Sequence, residues 1–92
     1  MSEIQNTLVM SIIKHQEAII GPIAWSEARK VSGLNIDSAQ KITTDGDGKK
    51  ILELLVKQYQ NLFGLASVEV CREATKPFLP TISKNELPEI LQ

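Results

Sequence analysis

The chain has few of the side chains on which most catalytic, metal and disulfide chemistry depends. Its 92 residues include one cysteine and one histidine. A single cysteine excludes an intramolecular disulfide and a cysteine-based zinc site. One histidine gives a nucleophile only one imidazole base and gives a metal no second imidazole. The sequence therefore indicates no catalytic residues, no cofactor site and no metal site, and we expect a protein that is not an enzyme.

A concentration of one charge is also missing. Ten basic residues face eleven acidic ones, and the formal net charge is −1. The densest basic pairs are Arg29–Lys30 and Lys49–Lys50, too few for the clustered cations that bind nucleic acid or anionic membranes. No apolar run approaches the ~20 residues of a spanning helix, and the first residues lack the pattern of a signal peptide. These features disfavour nucleic-acid and membrane partners and predict a cytoplasmic protein.

The hydrophobic residues of the chain are mostly aliphatic, and they recur at regular spacing. Hydrophobic residues make up 42% of the chain but aromatic residues only 4%, a balance that favours packed helices over a small β-sandwich. Apolar residues recur at helical spacing, and Gly21–Pro22 and Gly64 interrupt the pattern. The segment 65–76 fits either a helix or a strand. We favour a helix because no other segment alternates cleanly enough to pair with a strand.

The predicted fold class is therefore all-α, with two αα-hairpins arranged as four helices and followed by a short C-terminal helix. The helices are expected at about residues 3–19, 22–32, 48–62, 65–76 and 84–91. The segment 33–48 is expected to be a loop. Residues 1–79 would form the helical domain, and residues 80–92 would be a proline-containing link and a tail helix that packs on the domain or on a partner chain.

The two glycine corners share a further feature. Arg29 and Arg72 each lie eight residues after the glycine, Gly21 or Gly64, at which the preceding helix ends. An internal repeat is one interpretation of this spacing, and coincidence between two ordinary helical hairpins is the other.

The Asp45–Lys50 segment is the strongest turn signal, and it matches no ligand loop. The glycine that a phosphate-binding loop requires five residues before Gly48 is replaced by Thr43, and Lys49 is not followed by Ser or Thr. A calcium loop would need Glu where Leu54 stands. Asp47 is instead suited to cap the following helix. Whether the 33–48 loop binds an ion stays open.

A helix-turn-helix interpretation is the alternative to a protein-binding one. Residues 27–36 have some features of such a turn, but the position that normally holds a small residue is Arg29. The segment where a recognition helix would follow carries only Lys41 as a cation before Lys49. A DNA-binding or transcription-regulating domain is therefore the second hypothesis for function.

The string Ile20-Gly21-Pro22-Ile23-Ala24 is the most distinctive in the chain. It resembles the corner of a small uncharacterised helical domain found at the C-terminal end of bacterial signalling proteins, including response regulators and serine/threonine kinases. The resemblance covers about residues 4–79 and implies a bacterial signalling role. It implies no catalytic residue, and Gly21, Pro22, Ile23 and Ala24 match as architecture.

The leading hypothesis is a module that binds protein, with a second copy of itself as one candidate partner. Trp25 is a candidate anchor because tryptophan is enriched among interface hot spots. Several apolar residues lie outside the main helical stripes or in the tail. The candidate interface comprises Met10, Trp25, Leu87, Ile90 and Leu91.

Overall fold

Four α-helices and one two-stranded sheet make up the structure, a computed structural model that describes residues 1–92. Their order is α1 (Glu3–Ile20), α2 (Ile23–Ala28), β1 (Leu34–Ile36), β2 (Ile42–Thr44), α3 (Gly48–Phe63) and α4 (Leu65–Thr75). Short 3-10 turns follow at Lys76–Phe78, Lys84–Glu86 and Glu89–Leu91. The predicted first, third and fourth helices are confirmed, and the ambiguous segment 65–76 is helical. None of the helices is both long enough and apolar enough to cross a membrane.

Local hydrogen bonds fix where the two long helices begin and end. At the start of α1, the Ser2 hydroxyl accepts from the Gln5 N–H at 3.2 Å, and the Gln5 side-chain oxygen accepts from the Ser2 N–H at 2.9 Å. Asp47 caps α3 by accepting from the Lys49 N–H at 3.0 Å, as the sequence predicts. Each helix then buries one apolar stripe against the other helices, which supplies most of its stability.

The prediction of an all-α fold is wrong at residues 33–48, where the expected loop contains an antiparallel β-hairpin. Leu34 pairs with Thr44, and Ile36 pairs with Ile42. Asp37 closes the hairpin because its carboxylate accepts from two backbone N–H groups of the turn at 2.9 Å each. Strands of three residues are shorter than the four to eight over which alternation is recognisable, so the pattern did not predict them.

The predicted helix over 22–32 is too long at its C-terminal end. α2 stops at Ala28, and the chain turns so that the Gly33 carbonyl accepts from the Asp45 N–H at 2.8 Å. Gly33 has φ +85°, and a Cβ there would lie 2.6 Å from the Asp45 carbonyl oxygen. The close approach of the two backbones therefore ends the helix early and requires glycine.

The predicted tail helix over 84–91 is also absent. Two 3-10 turns stand in its place, separated by Leu87–Pro88, because Pro88 has no N–H to continue a helical ladder. The tail packs against the domain through Ile82, Leu87 and Leu91, which are 7%, 2% and 2% exposed. The Gln5 side-chain amide donates to the Glu86 carbonyl at 2.8 Å and ties the tail to the start of α1.

The two helical hairpins, α1–α2 and α3–α4, are equivalent at a spacing of 43 residues. Each of the six buried residues of α1 has a buried counterpart in α3. These pairs are Gln5 and Gly48, Leu8 and Ile51, Val9 and Leu52, Ile12 and Leu55, Ile13 and Val56, and Gln16 and Tyr59. The structure therefore favours the internal-repeat interpretation at the level of burial.

Hydrogen bonds between the hairpins follow the same relation. The Gln16 side-chain amide donates to the Ser67 carbonyl at 2.9 Å, and the Tyr59 hydroxyl donates to the Ala24 carbonyl at 2.7 Å. Ser67 lies 43 residues after Ala24, as Tyr59 does after Gln16. Each hairpin thus gives the other the same kind of contact, which is the reciprocity of a twofold arrangement.

Candidate functional site

The single cysteine and the single histidine do not form a nucleophile–base pair. Cys71 is fully buried, and burial raises the pKa of its thiol to about 11. The reactive thiolate is therefore scarce at neutral pH. His15 is exposed, and its Nδ1 lies 2.8 Å from the Ser11 carbonyl of its own helix. The Cys71 sulfur accepts from the Gln16 amide at 3.4 Å, and the two side chains are not hydrogen-bonded to each other.

The residues of the glycine-rich turn after β2 make contacts that stabilise the fold. Asp47 caps α3, and the backbone of Asp45 pairs with Gly33. The side chain of Gln5 lies against Gly48, where an added Cβ would overlap it. No group of three or more His, Cys, Asp or Glu side chains is placed to hold a metal ion.

Glu27 is a buried carboxylate that the sequence did not single out. It is 5% exposed in α2, and its oxygens accept from the Lys30 ammonium at 2.9 Å and from the Gln58 amide at 2.8 Å. These hydrogen bonds, Lys30 first, hold the pKa of Glu27 below its ordinary value. Both carboxylate oxygens are engaged, so Glu27 joins α2 to α3. Nothing in its local sequence signals this, because Gln58 lies 31 residues away.

We expect Glu27 to make folding stability pH-dependent on the acid side. A carboxylate with a lowered folded-state pKa stabilises the fold above its unfolded-state pKa, and that stability is lost as the pH falls through the folded-state value. Urea unfolding between pH 7 and pH 3 should show the wild type losing stability below about pH 4.5, with a smaller loss for Glu27→Gln. The variant keeps part of the loss, because the pKa values of Glu53 and Glu86 are also lowered. Identical pH dependence in the two proteins would contradict this role.

Most of the predicted interface residues lie in the core. Trp25 is 3% exposed, and its indole N–H donates to the Glu17 carboxylate at 2.8 Å. Leu87 and Leu91 are each 2% exposed. Met10 and Ile90 are partly buried against the same core. The predicted anchor and tail contacts are therefore internal contacts of this chain.

Exposed apolar side chains are concentrated elsewhere, at the two glycine corners. Six large hydrophobic residues are exposed, and five of them lie within two residues of Gly21 or Gly64. We define the corner patch as these five residues and the half-buried Ile20. Its members are Ile19, Ile20 and Ile23 at the first corner and Leu62, Phe63 and Leu65 at the second.

The two corners have the same backbone structure. Gly21 has φ +75° and ψ −158°, and Gly64 has φ +77° and ψ −165°. Each glycine N–H donates to the carbonyl four residues earlier, on Glu17 or Gln60, and closes its helix. The left-handed φ favours glycine at both positions. Of the predicted corner residues, Pro22 and Ile23 are exposed and Ala24 is buried.

Both corners contribute side chains to one open, largely apolar groove of about 340 Å³. Seven residues line the groove, from the last turn of α1, the last residue of α3 and the first turns of α4. They are Gln16, Ile19, Ile20, Phe63, Ala66, Ser67 and Val70. None of them is charged. Gln16 and Ser67 are already hydrogen-bonded to each other, so the groove offers mainly apolar contact.

The comparisons with known proteins do not add a relative. No family model matches the chain, and no curated protein or solved structure matches it either. The resemblance of residues 20–24 to a signalling-protein domain stays a prediction. The function must therefore be argued from the geometry of the corner patch.

Proposed function

We propose that this chain is a non-enzymatic protein-interaction module that binds its partner through the corner patch. One observation carries the proposal. Five of the six exposed large hydrophobic side chains are gathered around two corner glycines at one end of the helices. A concentration of exposed apolar side chains is typical of interaction sites, whereas single exposed hydrophobic residues are ordinary.

The helical phase of the patch explains why it is exposed. Ile19 and Ile20 lie on the core-facing side of α1, three and four residues after the fully buried Gln16. Leu62 and Phe63 stand in the same relation to Tyr59 on α3. The core-facing stripes of both helices thus continue one turn beyond the part that the fold covers. A partner that covers this turn gains about 25 cal/mol for each Å² of apolar surface removed from water.

The DNA-binding alternative lacks its main element. After α2, where a recognition helix would follow, the chain forms the β1–β2 hairpin. Arg29, a basic side chain that precedes the hairpin, donates to the Ile36 and Asp37 carbonyls at 3.4 Å each. No cation-rich helix is presented for a groove of DNA, so we do not propose this function. Chromatography on immobilised duplex DNA at increasing salt tests this, and we expect no salt-dependent retention.

A setting in the cytoplasm and in bacterial signalling belongs to the same proposal. The signalling link is supported by the resemblance of residues 20–24 alone. The cytoplasmic setting is supported by a single, buried cysteine, which gives no sign of disulfide use. The interaction role is independent of both and is supported by the corner patch.

Site-specific photo-cross-linking tests the proposal. A photoreactive phenylalanine analogue is placed at Leu65 in the patch or, as the control, at Leu79. Both leucines are exposed, at 73% and 47%, and Leu79 lies outside the patch after α4. Irradiation of cells that produce the protein is expected to give a discrete adduct of defined mass from position 65 and none from position 79.

The outcomes are separable by mass. An adduct at position 65 with the mass of two chains, or with the mass of one chain and another protein, supports an interaction surface. No adduct at position 65, or equal adducts at both positions, would overturn it, because the patch would then be no better a contact surface than an isolated exposed leucine.

A further inference from the structure

We infer that the groove lined by Gln16 and Phe63 binds a small ligand of the phenol class, whose ring contacts the apolar walls and whose hydroxyl donates to the Gln16 side chain. The inference goes beyond the proposed function, because it names a small molecule and not a protein partner. Two independent observations carry it. One is an acceptor atom in the groove without a partner in the protein. The other is the phenol ring that Tyr59 provides at the equivalent place in the other hairpin.

The acceptor is the side-chain oxygen of Gln16. This residue is 1% exposed, and it lines the groove. Both of its side-chain hydrogen bonds are donated by the amide nitrogen, to the Ser67 carbonyl at 2.9 Å and to the Cys71 sulfur at 3.4 Å. The Ser67 carbonyl fixes this orientation of the amide, because a carbonyl oxygen can accept but cannot donate. The amide oxygen of Gln16 therefore accepts no hydrogen bond from the protein.

That oxygen remains accessible from the groove. The Asn6 oxygen is the one side-chain polar atom that is sealed from solvent without a partner, so the unpaired Gln16 oxygen keeps some contact with solvent at the groove that Gln16 lines. Ser67, the other polar residue of the lining, uses its hydroxyl to donate to the Gly64 carbonyl at 2.7 Å. The groove thus combines apolar walls with one available acceptor. Nearly buried acceptors are usually paired in native proteins, and a ligand with a donor would pair this one.

The groove exists because two of its lining residues are smaller than their counterparts in the other hairpin. At the spacing of 43 residues that relates the hairpins, the pairs are Gln16 with Tyr59 and Ala66 with Ile23. None of the three surface cavities of the protein is lined by Tyr59 or Ile23. The larger side chains therefore fill at one corner the space that stays open at the other.

The equivalent place in the other hairpin indicates which chemistry fits. Tyr59 is fully buried there, and its hydroxyl donates to the Ala24 carbonyl at 2.7 Å. The counterpart of Ala24 is Ser67, whose carbonyl accepts from the slimmer Gln16 instead. A phenol bound in the groove would supply the aromatic ring that this half of the fold lacks. Phe63 is 39% exposed in the lining and offers the ring an aromatic contact.

The single acceptor selects among ligands of similar shape. A hydrocarbon or a methyl ether would remove the Gln16 oxygen from water without giving it a hydrogen bond. A carboxylate or phosphate would bring a negative charge to an acceptor in a lining that contains no cation. A phenol provides both an apolar ring and one donor. The groove volume of about 340 Å³ lies in the range of small-molecule sites.

A pair of matched ligands tests the inference. The probes p-cresol and p-methylanisole share a methyl-substituted ring, but only p-cresol has a hydroxyl donor. NMR titration of the isotope-labelled full chain is expected to give a dissociation constant on the order of 1 mM for p-cresol, as is usual for a ligand of this size. The shifted signals should include the Gln16 side-chain amide and the Ser67 backbone amide. We expect p-methylanisole to bind about tenfold more weakly, because it leaves the acceptor unpaired.

Ala66→Ile tests the location of the site. It gives the groove the larger side chain that Ile23 supplies in the other hairpin, and it should weaken p-cresol binding by about tenfold or more. Ala18→Ile is the matched control, because Ala18 is also an exposed helical alanine but does not line the groove. It should bind p-cresol as the wild type does. Circular dichroism checks that both variants are folded.

Gln16→Met tests the acceptor itself. The substitution keeps the length of the side chain and removes its oxygen, so the preference for p-cresol over p-methylanisole should fall from about tenfold to about onefold. This ratio is measured on one folded variant with two ligands, and a general loss of stability does not change it.

Three results would each overturn the inference. They are no p-cresol binding at about 10 mM by the wild type, equal affinity of the wild type for the two probes, and undiminished binding by Ala66→Ile. None of them affects photo-cross-linking at Leu65, so the proposed protein interaction is decided by a separate measurement.

Discussion

Replacing Tyr59 with alanine is expected to lower the free energy of unfolding by about 3–5 kcal/mol, as is usual for a large aromatic residue removed from a core. Tyr59 is fully buried in α3, and its hydroxyl donates to the Ala24 carbonyl at 2.7 Å. Burial raises the pKa of this phenol, so it remains a neutral donor at all ordinary pH values. The substitution removes both a large apolar volume and the contact that joins α3 to α2.

Tyr59→Phe separates these two contributions. It keeps the ring and removes the hydroxyl, so we expect a loss of about 1 kcal/mol, the usual net value of one hydrogen bond. Urea unfolding followed by circular dichroism measures both variants. Because domains of this size are stable by only about 5–15 kcal/mol, the alanine variant is expected to be partly unfolded at 37 °C. A loss below 1 kcal/mol for Tyr59→Ala would contradict the position of this ring at the centre of the core.

The second large effect is expected for Gly33→Ala, with a loss of about 2–6 kcal/mol. Two costs combine at this position. A residue other than glycine is strained at φ +85°, which costs about 1–3 kcal/mol. The added Cβ would also stand 2.6 Å from the Asp45 carbonyl oxygen and 3.2 Å from the Ile51 side chain, so the backbones must separate. Overpacking of this kind costs a further amount of about 1–3 kcal/mol.

Gly21→Ala is the matched control for this substitution. Gly21 has φ +75°, close to that of Gly33, but nothing lies within 4 Å of the position its Cβ would take. We expect it to show the strain without the clash. Thermal and urea unfolding of both variants give the difference. Equal losses for the two would show that the approach of Gly33 to Asp45 relaxes at no cost.

The long helices were predictable because their signals are local and repeated. The stripe of α3 from Ile51 to Tyr59 has helical spacing, and Asp47 and Gly64 mark its ends within the sequence itself. The β-hairpin was not predictable in this way, because its strands have three residues each and its register depends on Gly33 meeting Asp45. That contact joins residues far apart in sequence, which no periodicity reports.

The candidate site was predictable only in part. Gly21 and Pro22 predicted the first corner, whereas the spacing of Gly64 and Arg72 left open whether a second corner resembles it or matches by coincidence. Trp25 was expected at the surface because it flanks the helical stripe, but Glu17 accepts its indole N–H, and the ring can therefore be buried. Conversely, Ile19 and Leu62 have the helical phase of core residues and are exposed. The spacing of apolar residues shows which side of a helix is apolar. It does not show how far along the helix the rest of the chain covers that side.

The equivalence of the two hairpins also changes how the β1–β2 hairpin is understood. It is the covalent tether between two similar halves, and a short tether makes their docking an intramolecular event at an effective concentration of the millimolar order. Two αα-units that pair too weakly to persist as separate molecules can therefore form a single cooperative core once they share a chain. In that arrangement the residues between α2 and α3 determine whether the halves meet, and Val31 and Leu34 add buried apolar side chains to the shared core.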